Sequence, residues 1–189
     1  MDNYQVTGRP ISPKEKVNTL VINFFGESCT GKSKNASGLY AHLKEKGVSC
    51  ELVREYIKDF FYDYTPNKRL PNQMLVTGKQ IEMTDRYIGA VKVIITDSPI
   101  LLGAVYANMY GHTFLGLEIN NWFNKYNNFN ILLRRDFEFV HEARGSGKNS
   151  KAVKEYMTSQ GYEKRMNMII NSSEVSYEGI YQLIKDRIS

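Results

Sequence analysis

The sequence predicts an α/β fold, and three observations carry that expectation. The apolar, strand-like run Leu20 to Phe25 leads into Gly26-Glu27-Ser28-Cys29-Thr30-Gly31-Lys32-Ser33, a full match to G-x-x-x-x-G-K-[ST], and a helical pattern begins where the match ends. A second apolar run, beginning at Val91, closes on Asp97. Around these two, short apolar runs alternate with stretches of helical period, as an α/β sheet covered by helices requires.

Taken in order, residues 1 to 18, with Pro10 and Pro13, read as a flexible arm, and residues 19 to 189 as a single domain. The first strand is expected from Thr19 to Phe25. Ala36, Leu39, Tyr40 and Leu43 line one face of a helix from Ser33 to about Lys46, stopped by Gly47. Val48 to Val53 is a short second strand, which puts Arg54-Glu55-Tyr56 at its carboxyl end, the edge at which open α/β sheets bind ligands. The aromatic stretch from Tyr56 to Tyr64 reads mainly as a packed helix face, followed by a loop between Pro66 and Pro71. A longer helix is expected from Asn72 to about Ala90, with Met74, Leu75, Ile81, Met83, Tyr87 and Ile88 on its apolar side and Gln73, Lys79, Gln80 and Arg86 on a solvated side. Val91 to Asp97 is the third strand. Two helices, Leu101 to Tyr110 and Phe114 to Tyr126, flank Gly111-His112; a fourth strand runs from Phe129 to Arg134. Partial helix from Lys154 to Arg165, a strand at Met168-Ile169-Ile170 and a helix from Tyr177 to Ile188 complete the chain.

At 189 residues the chain suits one domain with a substantial core. No apolar run reaches membrane-spanning length and the polar start lacks the marks of a secretion signal, so the expected location is the cytoplasm. Cys29 and Cys50 read as reduced thiols. The net charge of +5 favours anionic ligands, and no Lys/Arg block marks a dedicated nucleic-acid tail.

The chemistry is concentrated in the glycine-rich stretch. Its backbone N–H groups can curl inward around phosphates, Lys32 can reach the β- and γ-phosphates, and the Ser33 hydroxyl can sit on Mg²⁺. ATP is the expected occupant, held by Gly26, Glu27, Ser28, Cys29, Thr30, Gly31, Lys32, Ser33 and Lys34. An acid closing an apolar strand suits a carboxylate that organises Mg²⁺ together with Ser33, which assigns Asp97 to the metal; the competing reading is a cap for the next helix, with Pro99 in its first turn. Arg134, Arg135 and Arg144, in a basic glycine-bearing stretch after the fourth strand, suit a lid that neutralises transferring phosphate, or else a solvated loop. Glu55 suits a base that takes a proton from an acceptor hydroxyl, or an ion pair with Arg54 or a lid arginine. Lys32, Glu55, Asp97, Arg134 and Arg144 are thus the catalytic candidates.

The stretches Asn23 to Ser33, Val53-Arg54-Glu55-Tyr56, Thr96-Asp97-Ser98-Pro99 and Leu132 to Asp136 resemble the NadR-like P-loop kinases over about residues 19 to 165, particularly their bacteriophage members. The resemblance implies a three-layer P-loop kinase fold with a five-stranded parallel sheet of order 2-3-1-4-5 and a basic lid. It also implies that Glu55 faces the acceptor and Asp97 the metal. Ser98 stands where many deoxynucleoside and thymidylate kinases have arginine, and His141 to Gly145 is only loosely similar to the lid of ribosylnicotinamide kinases. The expected activity is transfer of the γ-phosphoryl of ATP to a hydroxyl of a nucleoside-type acceptor, free or within DNA. The group includes phage 5-hydroxymethyluracil DNA kinases, so the hydroxymethyl of hydroxymethyluracil in phage DNA comes first. The alternative is a ribosylnicotinamide or (deoxy)nucleoside or nucleotide kinase, with a switch ATPase behind both.

Overall fold

The computed structural model of the chain describes residues 17–58, 72–136 and 148–189. Five strands form one parallel sheet: β1 (Leu20–Phe25), β2 (Cys50–Val53), β3 (Val93–Thr96), β4 (Asn127–Arg134) and β5 (Met168–Asn171), in the order β2-β3-β1-β4-β5. This is the expected order. The described helices are α1 (Lys32–Glu45), α2 (Gln73–Asp85), α3 (Ile100–Met109), α4 (Thr113–Phe123), α5 (Lys148–Ser159) and α6 (Tyr177–Ile184).

β1 is central and every one of its residues is buried, which is why it reads as an apolar run rather than an alternating one. Its side chains still divide by face. Leu20, Ile22 and Phe24 pack with Ala36, Leu39 and Leu43 of α1 and with Ile180 and Ile184 of α6. Phe25 packs on the opposite side with Leu101, Ala104 and Val105 of α3, Ile119 and Phe123 of α4, and Val153 and Met157 of α5. The result is a three-layer sandwich with the sheet in the middle.

One strand position breaks the apolar rule. Asn23 on β1 is buried, and its amide Nδ2 donates to Asn128 Oδ1 at 2.9 Å and Asn130 Oδ1 at 3.0 Å on β4. The Asn130 amide in turn donates to the Arg165 carbonyl, and its backbone N–H is received by Asn167 Oδ1. A polar ladder therefore joins β1, β4 and the turn before β5, and its buried groups find partners as a low-dielectric interior demands.

Several boundaries and one face differ from expectation. β1 starts at Leu20 and β3 at Val93, each a little later than the apolar runs suggested. α2 is capped by Asn72, whose Oδ1 accepts the Leu75 N–H at 2.9 Å, but it ends at Asp85 rather than near Ala90; residues 86–90 form turns, with Gly89 at φ 78°. Its faces are also the reverse of the expected assignment at one end. Met74 and Leu75 are 65% and 47% exposed, whereas Thr77, Gln80 and Thr84 are buried. The inner face of α2 lies against Gly103 of α3, where even a methyl would come within 2.5 Å of Thr77 Oγ1, and against the backbone beyond β2, so it takes small or hydrogen-bonding side chains. The short turn Tyr162–Arg165 is 3₁₀, and the last helix gives way to a 3₁₀ turn at Lys185–Arg187. The expected arm, apart from Val17 and Asn18, lies outside the described residues, as do the aromatic stretch beyond Lys58 with its following loop, and residues 137–147 of the basic stretch expected to form a lid.

Candidate functional site

β1 delivers the chain to the glycine-rich loop, and two glycines make the turn possible. Gly26 has φ 145°; a side chain there would meet Thr30 Oγ1 at 2.6 Å and the Leu133 carbonyl at 2.9 Å. Gly31 has φ 78° and lies so close to Ser172 that a methyl would approach its Oγ to 2.6 Å. Both conformations favour glycine. Cys29 adopts φ 58°, and Thr30, buried, ties the loop to itself by donating to the Glu27 carbonyl at 2.9 Å. Gly31 is the N-cap of α1 and no side chain among the described residues caps it, so the positive end of the helix opens at the loop, where an anion is favoured. Lys32 Nζ donates to the carbonyls of Gly26 at 3.1 Å and Glu27 at 2.7 Å, which sets its ammonium at the mouth of the loop.

The sheet order then brings the acids to the same edge. Val53, Thr96 and Asn23 lie side by side on β2, β3 and β1, so Glu55, Asp97 and the loop after Phe25 all leave adjacent parallel strands at their carboxyl ends. Asp97 is 4% exposed. Its Oδ2 accepts the Ser33 hydroxyl at 2.5 Å, while its Oδ1 has no hydrogen-bond partner among the described residues. The capping alternative fails, since the N-cap of α3 is Pro99 and no side chain caps it. A buried carboxylate with an unused oxygen beside a serine hydroxyl fits a hard divalent cation. Among the described residues no three His, Cys, Asp or Glu side chains gather, so the remaining ligands of such an ion would be phosphate oxygens and water.

Glu55 is half-buried, and its carbonyl accepts the Lys58 N–H at 3.3 Å. Its charge is felt by Tyr106 of α3, whose phenol is pushed above its usual pKa first by burial and then by Glu55. The peptides on either side of Glu55 are gripped by Gln80, whose Oε1 accepts the Tyr56 N–H at 3.0 Å and whose Nε2 donates to the Arg54 carbonyl at 3.2 Å.

The lid arginines are only partly in view. Arg134 ends β4 and is exposed; Arg144 lies outside the described residues. Arg135, not among the catalytic candidates, reaches the loop, donating to the Ser28 carbonyl at 2.8 Å and lying 3.5 Å from Glu27 Oε2. Lys154 of α5 pairs with Glu27 Oε1 at 3.1 Å, beside an open cleft of about 630 Å³. On the other flank, Asn35 of α1 donates to the carbonyl of Gly31 and to Ser172 Oγ, and Ser173 hydrogen-bonds the Asp136 carboxylate. Sequence reasoning missed Lys154, Asn35 and Ser172 and put Gln80 on a solvated helix side, whereas Arg135 stood in the basic stretch it singled out.

Comparison with the curated proteins finds no match. Among solved structures, the chain is similar to NadR in complex with NR (TM-score 0.62, 13% identity, 91% of this chain and 51% of that one). It is likewise similar to NadR in complex with NAD and AMP-PNP (TM-score 0.62, 11% identity, 89% and 49%). It also matches APS kinase CysC of Mycobacterium tuberculosis in complex with AMPPNP and APS (TM-score 0.50, 11% identity, 90% and 97%). The chain spans about half the length of the NadR chains. At these identities the likeness establishes the fold, which is P-loop kinase-like. With residues 21–177 matching the family model AAA_28, described as an AAA domain, the chain belongs to that P-loop family.

Proposed function

We propose that the chain is an ATP-dependent phosphotransferase acting on a hydroxyl of a small nucleoside-type acceptor. The observation that supports this reading best is Asp97, buried at the tip of β3 with one oxygen on the Ser33 hydroxyl and the other without a hydrogen-bond partner among the described residues, beside β2, just beyond whose end Glu55 lies. In this reading the loop N–H groups and Lys32 hold the triphosphate, and Ser33 and Asp97 would hold Mg²⁺, whose charge would offset that of the phosphate oxygens. Glu55 takes the proton of the acceptor hydroxyl as its oxygen bonds to the γ-phosphorus, and the bond to the β-phosphate oxygen breaks to leave ADP. Arg135 and the lid arginines, Arg134 and Arg144, stabilise the charge that spreads over the transferring group.

A free ribosylnicotinamide or nucleoside acceptor now stands ahead of hydroxymethyluracil in DNA. The NadR structures, one of them in complex with NR, are the likeness that favours it, and the phage DNA reading has no comparable support. Membership of an AAA domain family keeps water as the rival acceptor.

The test is label transfer from γ-labelled ATP with Mg²⁺ to ribosylnicotinamide, free deoxynucleosides and hydroxymethyluracil DNA in parallel. The expected result is label in a small nucleoside, abolished in Lys32→Ala. Label in DNA alone restores the first expectation, and release of inorganic phosphate with no labelled acceptor establishes the ATPase instead.

A further inference from the structure

We propose that Gln80 is a positioning residue that aims the Glu55 carboxylate, an inference that rests on the reading of Glu55 as the group acting on the acceptor. Gln80 lies in the middle of α2 and is 4% exposed, a costly place for a primary amide unless both its ends are paired. Both are, and with the same short segment: Nε2 donates to the Arg54 carbonyl at 3.2 Å and Oε1 accepts the Tyr56 N–H at 3.0 Å.

These are the groups that a residue of a neighbouring parallel strand would bond, the carbonyl before and the N–H after the facing residue. β2 is an edge strand and its pairing with β3 stops at Val53. The Gln80 side chain therefore supplies one further step of pairing beyond the last ladder residue and holds the backbone on both sides of Glu55. The backbone that carries the Glu55 carboxylate is thus held on both sides. A carboxylate so held loses little freedom on taking up its working geometry, whereas a displacement of about 1 Å can cost about 100-fold in rate.

The experiment uses the full chain as wild type, Q80A, Q80E, E55Q and Q80A/E55Q, with hydrogen exchange of residues 54–58 and label transfer from ATP to ribosylnicotinamide or whichever acceptor the wild type labels. Q80A is expected to speed exchange at Tyr56 by about tenfold or more while leaving β1 and α1 unchanged. Its kcat falls by about 10- to 100-fold with KM for ATP within about twofold, and Q80A/E55Q is no slower than E55Q, since Gln80 acts through Glu55. Q80E recovers as pH falls, because a protonated carboxyl can again donate to the Arg54 carbonyl; it also carries the comparison if Q80A does not fold. Unchanged exchange at Tyr56, an unchanged kcat, or a further loss in the double variant equal to that of Q80A alone overturns the inference. A wild type that labels no acceptor overturns the function reading instead, and the exchange measurement then decides the Gln80 clamp by itself.

Discussion

At the scale of single residues, Asp97 separates a metal-organising site from a merely polar one. Asp97→Asn keeps an atom that can receive the Ser33 hydroxyl but removes the charge. Transfer is expected to fall by about 100-fold or more, with a higher Mg²⁺ concentration at half-maximal rate, as a Mg²⁺ titration would show. An unchanged Mg²⁺ requirement would make Asp97 a structural partner of Ser33. The glycine-rich match made Lys32 and Ser33 legible in the sequence, because that loop works through spacing and backbone and little depends on distant chain. Gln80 was not legible. A glutamine on a helix with apolar residues elsewhere reads as solvated, and only the approach of α2 to the backbone beyond β2 turns it inward.

At the scale of elements, α6 is pinned to α1 by a surface cluster in which Glu178 lies 2.8 Å from Lys46 and 3.0 Å from His42. The Lys46 hydrogen bond, then that of Gln182 and then that of His42, lower the Glu178 carboxyl from 4.5 to about 2. A depressed carboxyl stabilises the fold above its unfolded value, and that contribution is lost as pH falls from 4.5 through about 2. Glu178→Gln should therefore melt below the wild type at neutral pH, by a margin that closes over this acid range and shrinks in high salt, since the cluster is exposed. Melting curves against pH would check it. Within the sheet, Asn23→Ala strips the donor from Asn128 and Asn130 and should cost about 1–3 kcal/mol in denaturant unfolding. The strands were legible as apolar runs because a parallel sheet buries both faces. The end of α2 was not, since the apolar pattern runs on through Tyr87 and Ile88 while the backbone turns to place the Gly89 N–H on Thr19 Oγ1 at 2.8 Å.

At the scale of the molecule, the order β2-β3-β1-β4-β5 lets one sheet edge gather residues more than 40 positions apart, Glu55 and Asp97, beside a loop that begins at Gly26. The position of both acids at strand carboxyl ends was legible from the residues, but the strand order came only through the resemblance, because spacing along the chain does not say which strands are neighbours. Contacts made across layers, such as Lys154 with Glu27 and Asn35 with Ser172, left no trace in the local pattern. The central claim is that this edge grips a nucleotide and turns two acids toward its far end. A crystal structure of the chain with a non-hydrolysable ATP analogue and Mg²⁺ tests it most directly. The account predicts phosphates on the N–H groups of residues 27–33, the ion beside Ser33 and Asp97 Oδ1, and Glu55 facing the terminal phosphate; a nucleotide bound elsewhere, or Asp97 and Glu55 turned away from it, would contradict it.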